Sequence, residues 1–223
     1  MSLPFNHREF LDVFGTYNGA AWPFAAVLWL ATLLAIIFWN RSTRHRGRVV
    51  FGLLAIQWAW SALVYFLAFF WTINPAAPLF ATLFLLPALL FAWFATRGSP
   101  ELRSGRTAGS LFGMALMIYS VLYPFVGMAF GMRYPRLPTF GVPCPTAILT
   151  AGVLLLTVPR APGQLMVVPL LWSAIAGSAA VLLGITGDIV LIVSGFVLLV
   201  RLVSPVRRLR RRTAHDWQEI VHN

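Results

Sequence analysis

The stretch Met132-Arg133-Tyr134-Pro135-Arg136-Leu137-Pro138-Thr139-Phe140-Gly141-Val142-Pro143-Cys144-Pro145-Thr146 sits between long apolar runs, and its reading decides the fold. It holds the chain's only cysteine, four prolines and two arginines. Everything before and after it reads as membrane-spanning helix. Of 223 residues, 59% are apolar and only 10% are charged, and mean hydropathy is +0.80. A water-soluble chain of this length needs more charge to cover its surface. The apolar residues recur in runs of about twenty, the length that crosses a hydrocarbon core of roughly 30 Å.

Working outward from that stretch, seven runs fall at about 20–39, 49–71, 75–96, 108–130, 140–158, 165–184 and 187–203. The expected architecture is all-α: one seven-helix transmembrane bundle over residues 1–203, then a basic tail over 204–223. Ahead of the first run, residues 2–18 are too polar to span. Asn6 and Glu9 have the form of a capping box, with Phe5 and Phe10 as its hydrophobic staple. This segment reads as a separate amphipathic helix lying in the interface. Asn74 looks like the cap of the third run and Pro75 its first helical residue. Pro87, Pro124 and Pro169 lie inside runs three, four and six. Gly109, Gly113, Gly127 and Gly131 in run four, with Ala174, Gly177, Ser178 and Ala179 in run six, permit close helix packing.

All 17 basic residues are arginine. The absence of lysine excludes a retinal Schiff base and other lysine-dependent covalent chemistry. Counted over alternate loops, fourteen arginines fall on one side and Arg8, Arg133 and Arg136 on the other. That bias orients the N-terminus outside and the C-terminus in the cytoplasm of a cell inner membrane. It makes anionic lipid headgroups, rather than nucleic acid, the partner of the +11 net charge. The tail from Ser204 on reads as a basic helix resting on the inner leaflet.

The topology gathers a polar group on the outer side: His7, Glu9, Asp12, Tyr17, Asn18, Asn74, Arg133, Arg136, Thr139, Cys144 and Asp188. Cys144 lies between two prolines that lack an N–H and restrict the residue before them. The chain is therefore expected to enter as irregular backbone, helical only from about Thr146, as in broken spans that line transporter sites. The alternative is a proline-rich helix start with a buried, inert thiol. Candidate ligand-binding residues are Cys144, Asp188, Asn74, Arg133, Glu9 and Asp12. Cys144 with Met128 and Met132 has the soft donors a Cu(I)-like cation takes, although methionine also fills apolar cores. Asp188 at the start of run seven is either a functional carboxylate or a helix-capping one, with Arg133 or Arg136 as its ion-pair partner. A Cys144–His7 nucleophile pair, oriented by Asp12 or Asp188, rests on shared topology alone. No hydrolase or phosphate-loop signature is present, and no cofactor is called for.

Leu3-Pro4-Phe5, Phe10-Leu11-Asp12-Val13-Phe14, Tyr17-Asn18 and Trp22-Pro23 resemble the start of an uncharacterised family of bacterial polytopic integral membrane proteins. Phe69-Phe70-Trp71-Thr72-Ile73-Asn74-Pro75-Ala76-Ala77 and Thr139-Phe140-Gly141-Val142-Pro143-Cys144-Pro145-Thr146 are similar to its other recurrent stretches. The resemblance brings no activity with it. Three functions stay open: transport or permeation of a small solute or ion through an outward-facing site near Cys144 and Asp188; a non-catalytic accessory or assembly subunit; and a membrane enzyme using the Cys144 thiol. Transport calls for a polar cavity beside Cys144. A docking subunit calls for an exposed outer apolar patch.

Overall fold

The computed structural model describes residues 4–38, 45–103 and 105–204. They form seven α-helices: α1 (His7–Ile37), α2 (Arg46–Trp60), α3 (Ala77–Arg97), α4 (Ala108–Ala129), α5 (Pro143–Leu155), α6 (Gln164–Leu183) and α7 (Ile189–Val203). α2 continues without a break into a π-helical segment, Ser61–Phe69, and a short 3-10 turn, Phe70–Thr72. A two-residue ribbon pairs β1 (Glu101–Leu102) antiparallel with β2 (Thr157–Val158). Five helices are long and apolar enough to cross a membrane: α1, α2 with its extension to Thr72, α3, α4 and α6. α5 and α7 are apolar but have only 13 and 15 residues. The basic helix expected beyond Ser204 lies outside the described residues.

The expected break between an interfacial helix at 2–18 and a span at 20–39 is absent, because α1 runs straight through. Its start is as the capping box requires: Asn6 accepts from the Glu9 amide at 3.0 Å, and Glu9 accepts from the Asn6 amide at 2.8 Å. Phe5 stacks on Phe10 at 5.6 Å as the staple. Residues 17 and 18 are polar but not solvated: Tyr17 and Asn18 are buried against the loop between α4 and α5. With those groups paired inside the protein, nothing forces the helix to end at Gly19-Ala20.

Between α2 and α3, Asn74 turns the chain by accepting from the Ala76 amide at 2.9 Å. α3 then starts at Ala77, with Pro78 rather than Pro75 in its first turn. Pro23, Pro87, Pro124 and Pro169 all lie inside helices.

α5 also departs from expectation. It begins at Pro143, so Cys144 and Pro145 stand in its first turn rather than in irregular backbone. The first-turn amides of any helix lack an internal partner, so two prolines there cost no hydrogen bond. The extended residue is Val142, at φ −91° and ψ 159°. Apart from the partly buried Cys144, every residue of α5 is buried. At ~1.5 Å per residue the helix is ~20 Å long, short of a hydrocarbon core. It is a central post wrapped by its neighbours. Of the four glycines expected to bring helices close in run four, Gly113 does so: a Cβ there would stand 2.9 Å from the Gly152 carbonyl of α5. The reverse holds too, because a Cβ on Gly152 would stand 2.7 Å from the Gly113 carbonyl.

The links divide the bundle into two ends. One end carries the start of α1, the α2–α3 turn, the loop after α4 and the α6–α7 link. The other carries β1, β2 and seven described arginines: Arg46, Arg48, Arg97, Arg103, Arg106, Arg160 and Arg201. There Arg46 donates to the Leu102 carbonyl at 3.0 Å, Arg201 to Thr157 at 3.3 Å and Arg160 to Ser204 at 2.7 Å.

Candidate functional site

At the end opposite those arginines, a cavity of about 240 Å³ opens between α1, α2, α5 and α6. Its walls are mainly aromatic: Phe5, Phe10 and Phe14 from α1 and its cap, Tyr65, Phe66 and Phe70 from α2 and its extension, Phe80 from α3 and Trp172 from α6. Polar groups enter at four main places, Asn74, Tyr123, Cys144 and Asp188. The floor is closed. Trp172 meets Phe66 at 5.4 Å and Phe84 at 4.9 Å, and Phe84 rests on Trp58 at 4.5 Å. Trp172 stands near the middle of α6, so the cavity reaches mid-bundle and stops there. At its edge, Ile175 and Leu182 are exposed on the outer surface of α6.

Asp188 is 4% exposed and occupies the N-cap position of α7. It lies in the 3-10 link Thr186–Asp188, outside both α6 and α7. Contrary to the capping expectation, its side chain makes no cap bond to α7. It accepts instead from the Tyr123 hydroxyl of α4. The Cys144 thiol lies within hydrogen-bonding reach of the same carboxylate. Neither expected arginine reaches it: Arg136 pairs with Asp12 at 2.8 Å, and Arg133 is exposed. Among the described residues Asp188 has no cationic partner, only the partial positive charge at the start of α7. Burial accordingly pushes its carboxyl from 3.8 up to about 6, against the two hydrogen bonds, which pull it down. The Trp172 indole N–H is also buried and has no hydrogen bond of normal geometry.

The structure divides the six candidate ligand-binding residues. Cys144, Asp188 and Asn74 line the cavity. Glu9 and Asp12 line a separate, more open groove, beside Phe69 and Thr72. Arg133 lies in the exposed part of the loop between α4 and α5. The soft-metal set is not assembled in the cavity, because neither Met128 nor Met132 joins Cys144 in its walls, and Met128 is exposed. His7 does not line the cavity either. Its Nδ1 donates to the Leu183 carbonyl at 2.8 Å, tying the start of α1 to an open carbonyl at the end of α6. The Cys144–His7 pair is therefore not formed.

Sequence reading passed over Tyr65, Phe66, Tyr123 and Trp172. Tyr65 and Phe66 lie on the π-helical segment, a local widening of the helix that often accompanies functional sites and re-aims side chains. Nothing in Ser61-Ala62-Leu63-Val64-Tyr65-Phe66 marks it. For Tyr123 the signal is general: a phenol within an apolar helix needs a hydrogen-bond partner, and Asp188 is the acid that supplies it.

A second cluster on the same end has a different character. Asn18 of α1, 1% exposed, donates to the Pro135 and Leu137 carbonyls at 2.6 and 2.8 Å and accepts from Thr139 at 2.5 Å. Tyr17 donates to the Phe140 carbonyl at 2.8 Å and accepts from the Trp60 indole at 2.9 Å. Ser61 donates to the Gly141 carbonyl at 2.9 Å. Gly141 has φ +81°, and a Cβ there would meet Trp60 Cδ1 and the Tyr17 hydroxyl at 2.5 Å. Thr139 through Val142 is thus a strap sewn to α1 and α2, and it leads into the first turn of α5, which carries Cys144 at the cavity wall.

No curated protein and no solved structure matches the chain. A family model does match, over residues 7–214. That span takes in every element described above, and the chain belongs to that family, DUF6064, a family of unknown function.

Proposed function

We propose that this is a multi-pass membrane protein that admits a small solute into the cavity beside Cys144 and Asp188, as the outward-facing binding step of transport. The observation that carries the reading is the cavity itself: about 240 Å³, reaching mid-bundle, with a buried carboxylate at its wall. Concave, mainly apolar sites with a few converging polar groups are the usual form of small-molecule sites. An ionisable group held inside an apolar bundle marks a solute or proton path by default. The closed aromatic floor fits an outward-facing state of an alternating-access cycle.

The arginine-bearing end faces the cytoplasm in this reading, and its guanidinium groups meet anionic headgroups of a cell inner membrane. The cavity then opens on the outer side, with the start of α1. Two observations weigh against the alternatives. A thiol enzyme would lack the expected histidine base, since His7 is held at Leu183 and only the Asp188 carboxylate stands beside Cys144. A docking subunit could use the groove of Trp22, Trp29, Phe125 and Tyr134 between α1 and α4, but exposed aromatics are also what a lipid-facing surface presents.

The single cysteine makes the test direct. An impermeant methanethiosulfonate reagent, added to intact cells or to inside-out vesicles, is expected to modify Cys144 from the outer side. Modification from the cytoplasmic side alone would reverse the orientation. Cys144 that stays unmodified from both sides, while reacting in denatured protein, would remove the cavity reading.

A further inference from the structure

We infer that the cavity is built for an organic cation: a small alkylammonium whose charged head meets the Asp188 carboxylate and whose apolar body lies among the aromatic rings. The inference rests on the proposed outer cavity and names the class of its ligand. Three observations converge on it. Asp188 is buried at the wall, and among the described residues no arginine or histidine pairs with it. The Tyr123 hydroxyl and the Cys144 thiol are neutral donors, so they orient the carboxylate without balancing its charge. The start of α7 supplies only a partial positive charge.

The remaining walls supply π-faces. Tyr65, Phe66, Phe70 and Trp172 line the same cavity as the carboxylate. Rings attract a desolvated ammonium through their quadrupoles, and they favour an ammonium over an anion or a sugar. An inorganic cation fits poorly, because such ions need several oxygen ligands and no cluster of three or more acidic, histidine or cysteine groups occurs among the described residues. The exposed Ile175 and Leu182 at the edge let an amphipathic amine enter along the outer leaflet as well as from water. The ammonium could therefore be carried by a free amine or by the headgroup of an ethanolamine lipid.

Cys144 stands at the same wall and can report the charge preference of the site. The protein is reconstituted in phosphatidylglycerol vesicles, and Cys144 is modified by two methanethiosulfonates, one bearing a trimethylammonium and one a sulfonate. Each rate is divided by the rate of the same reagent on a free thiol. The normalised cation-to-anion ratio is expected to reach about tenfold in the wild type, given a carboxylate within contact range. It is expected to fall to about one in Asp188→Asn and to persist in Asp188→Glu. Hexylammonium is expected to protect Cys144, while 1-hexanol at the same concentration does not. That comparison needs no variant to fold.

Equal normalised rates in the wild type, or equal protection by the amine and the alcohol, would overturn the cation assignment and leave the outer cavity intact. Failure of both reagents to reach Cys144 would instead overturn the cavity reading on which the inference rests. If phosphatidylethanolamine added to the vesicles protects Cys144 by itself, the ammonium comes from a membrane lipid. If only the free amine protects, it comes from a solute.

Discussion

Two polar clusters share one end of this bundle, some at adjacent positions along the chain, yet they are built on opposite terms. Around Gly141, the donors and acceptors of Tyr17, Asn18, Trp60 and Ser61 are matched against backbone carbonyls and one another. Around Asp188, a buried carboxylate receives two neutral donors, a buried indole N–H lacks a good partner, and empty space adjoins both. A saturated network holds structure, because each bond lost leaves a buried group unpaired. An unsaturated one is open to a ligand and adds little to the fold. Proteins commonly break local rules at functional sites at the expense of stability.

That contrast can be broken by substitution, starting with the largest effect. Gly141→Val places a branched side chain at φ +81° against Trp60 and Tyr17. It is expected to destabilise by about 4 kcal/mol or to prevent assembly, as read by thermal unfolding in detergent. Asn18→Leu leaves two carbonyls and the Thr139 hydroxyl unpaired, and is expected to cost about 2–3 kcal/mol in the same assay. Asp188→Asn is expected to have the opposite sign: an unchanged or higher unfolding temperature, together with loss of the cation preference at Cys144. A drop in stability as large as that of Asn18→Leu would make Asp188 a structural residue and erase the distinction.

The smallest effect is a pH dependence confined to one cluster. The Asp188 carboxyl is raised from 3.8 to about 6 in the folded protein, so between those values the folded state binds more protons than the unfolded one. Stability therefore rises as pH is lowered from about 7 towards 4 through this group, and falls in the reverse direction. The groups facing it are Tyr119 and Tyr123 of α4, Cys144 of α5 and Tyr65 of the π-helical segment. Wild type minus Asp188→Asn isolates the contribution. Hexylammonium protection of Cys144 is expected to weaken over the same interval, because the proton and the ammonium compete for one carboxylate.

The bundle was largely legible from apolar run length, and the local signals held where the partner was close in sequence. Asn6 and Glu9 form their capping box, whereas Asn74, expected as the cap of α3, turns the chain two residues ahead of the actual cap, Ala76. Reading failed where the partner is far away. Tyr17 and Asn18 read as the polar rim of an interfacial helix, because the carbonyls that bury them lie more than a hundred residues on. Asp188 read as a cap because its position is a cap position, but the Tyr123 hydroxyl reaches it from 65 residues away. The prolines about Cys144 suit either extended backbone or a proline-rich helix start, and the second holds: they occupy the one turn of a helix that tolerates them. For the π-helical segment no local residue gives warning.

The shortness of α5 bears on how the protein is made. A helix of thirteen residues, walled in by the rest of the bundle, has no independent hold on a bilayer. Its close backbone approach is to α4 through the facing glycines at 113 and 152, so α4 is the neighbour against which a newly made α5 can first pack. Nascent chains halted just past α5 should be poorly inserted and open to quality-control proteases until α6 emerges to close the wall.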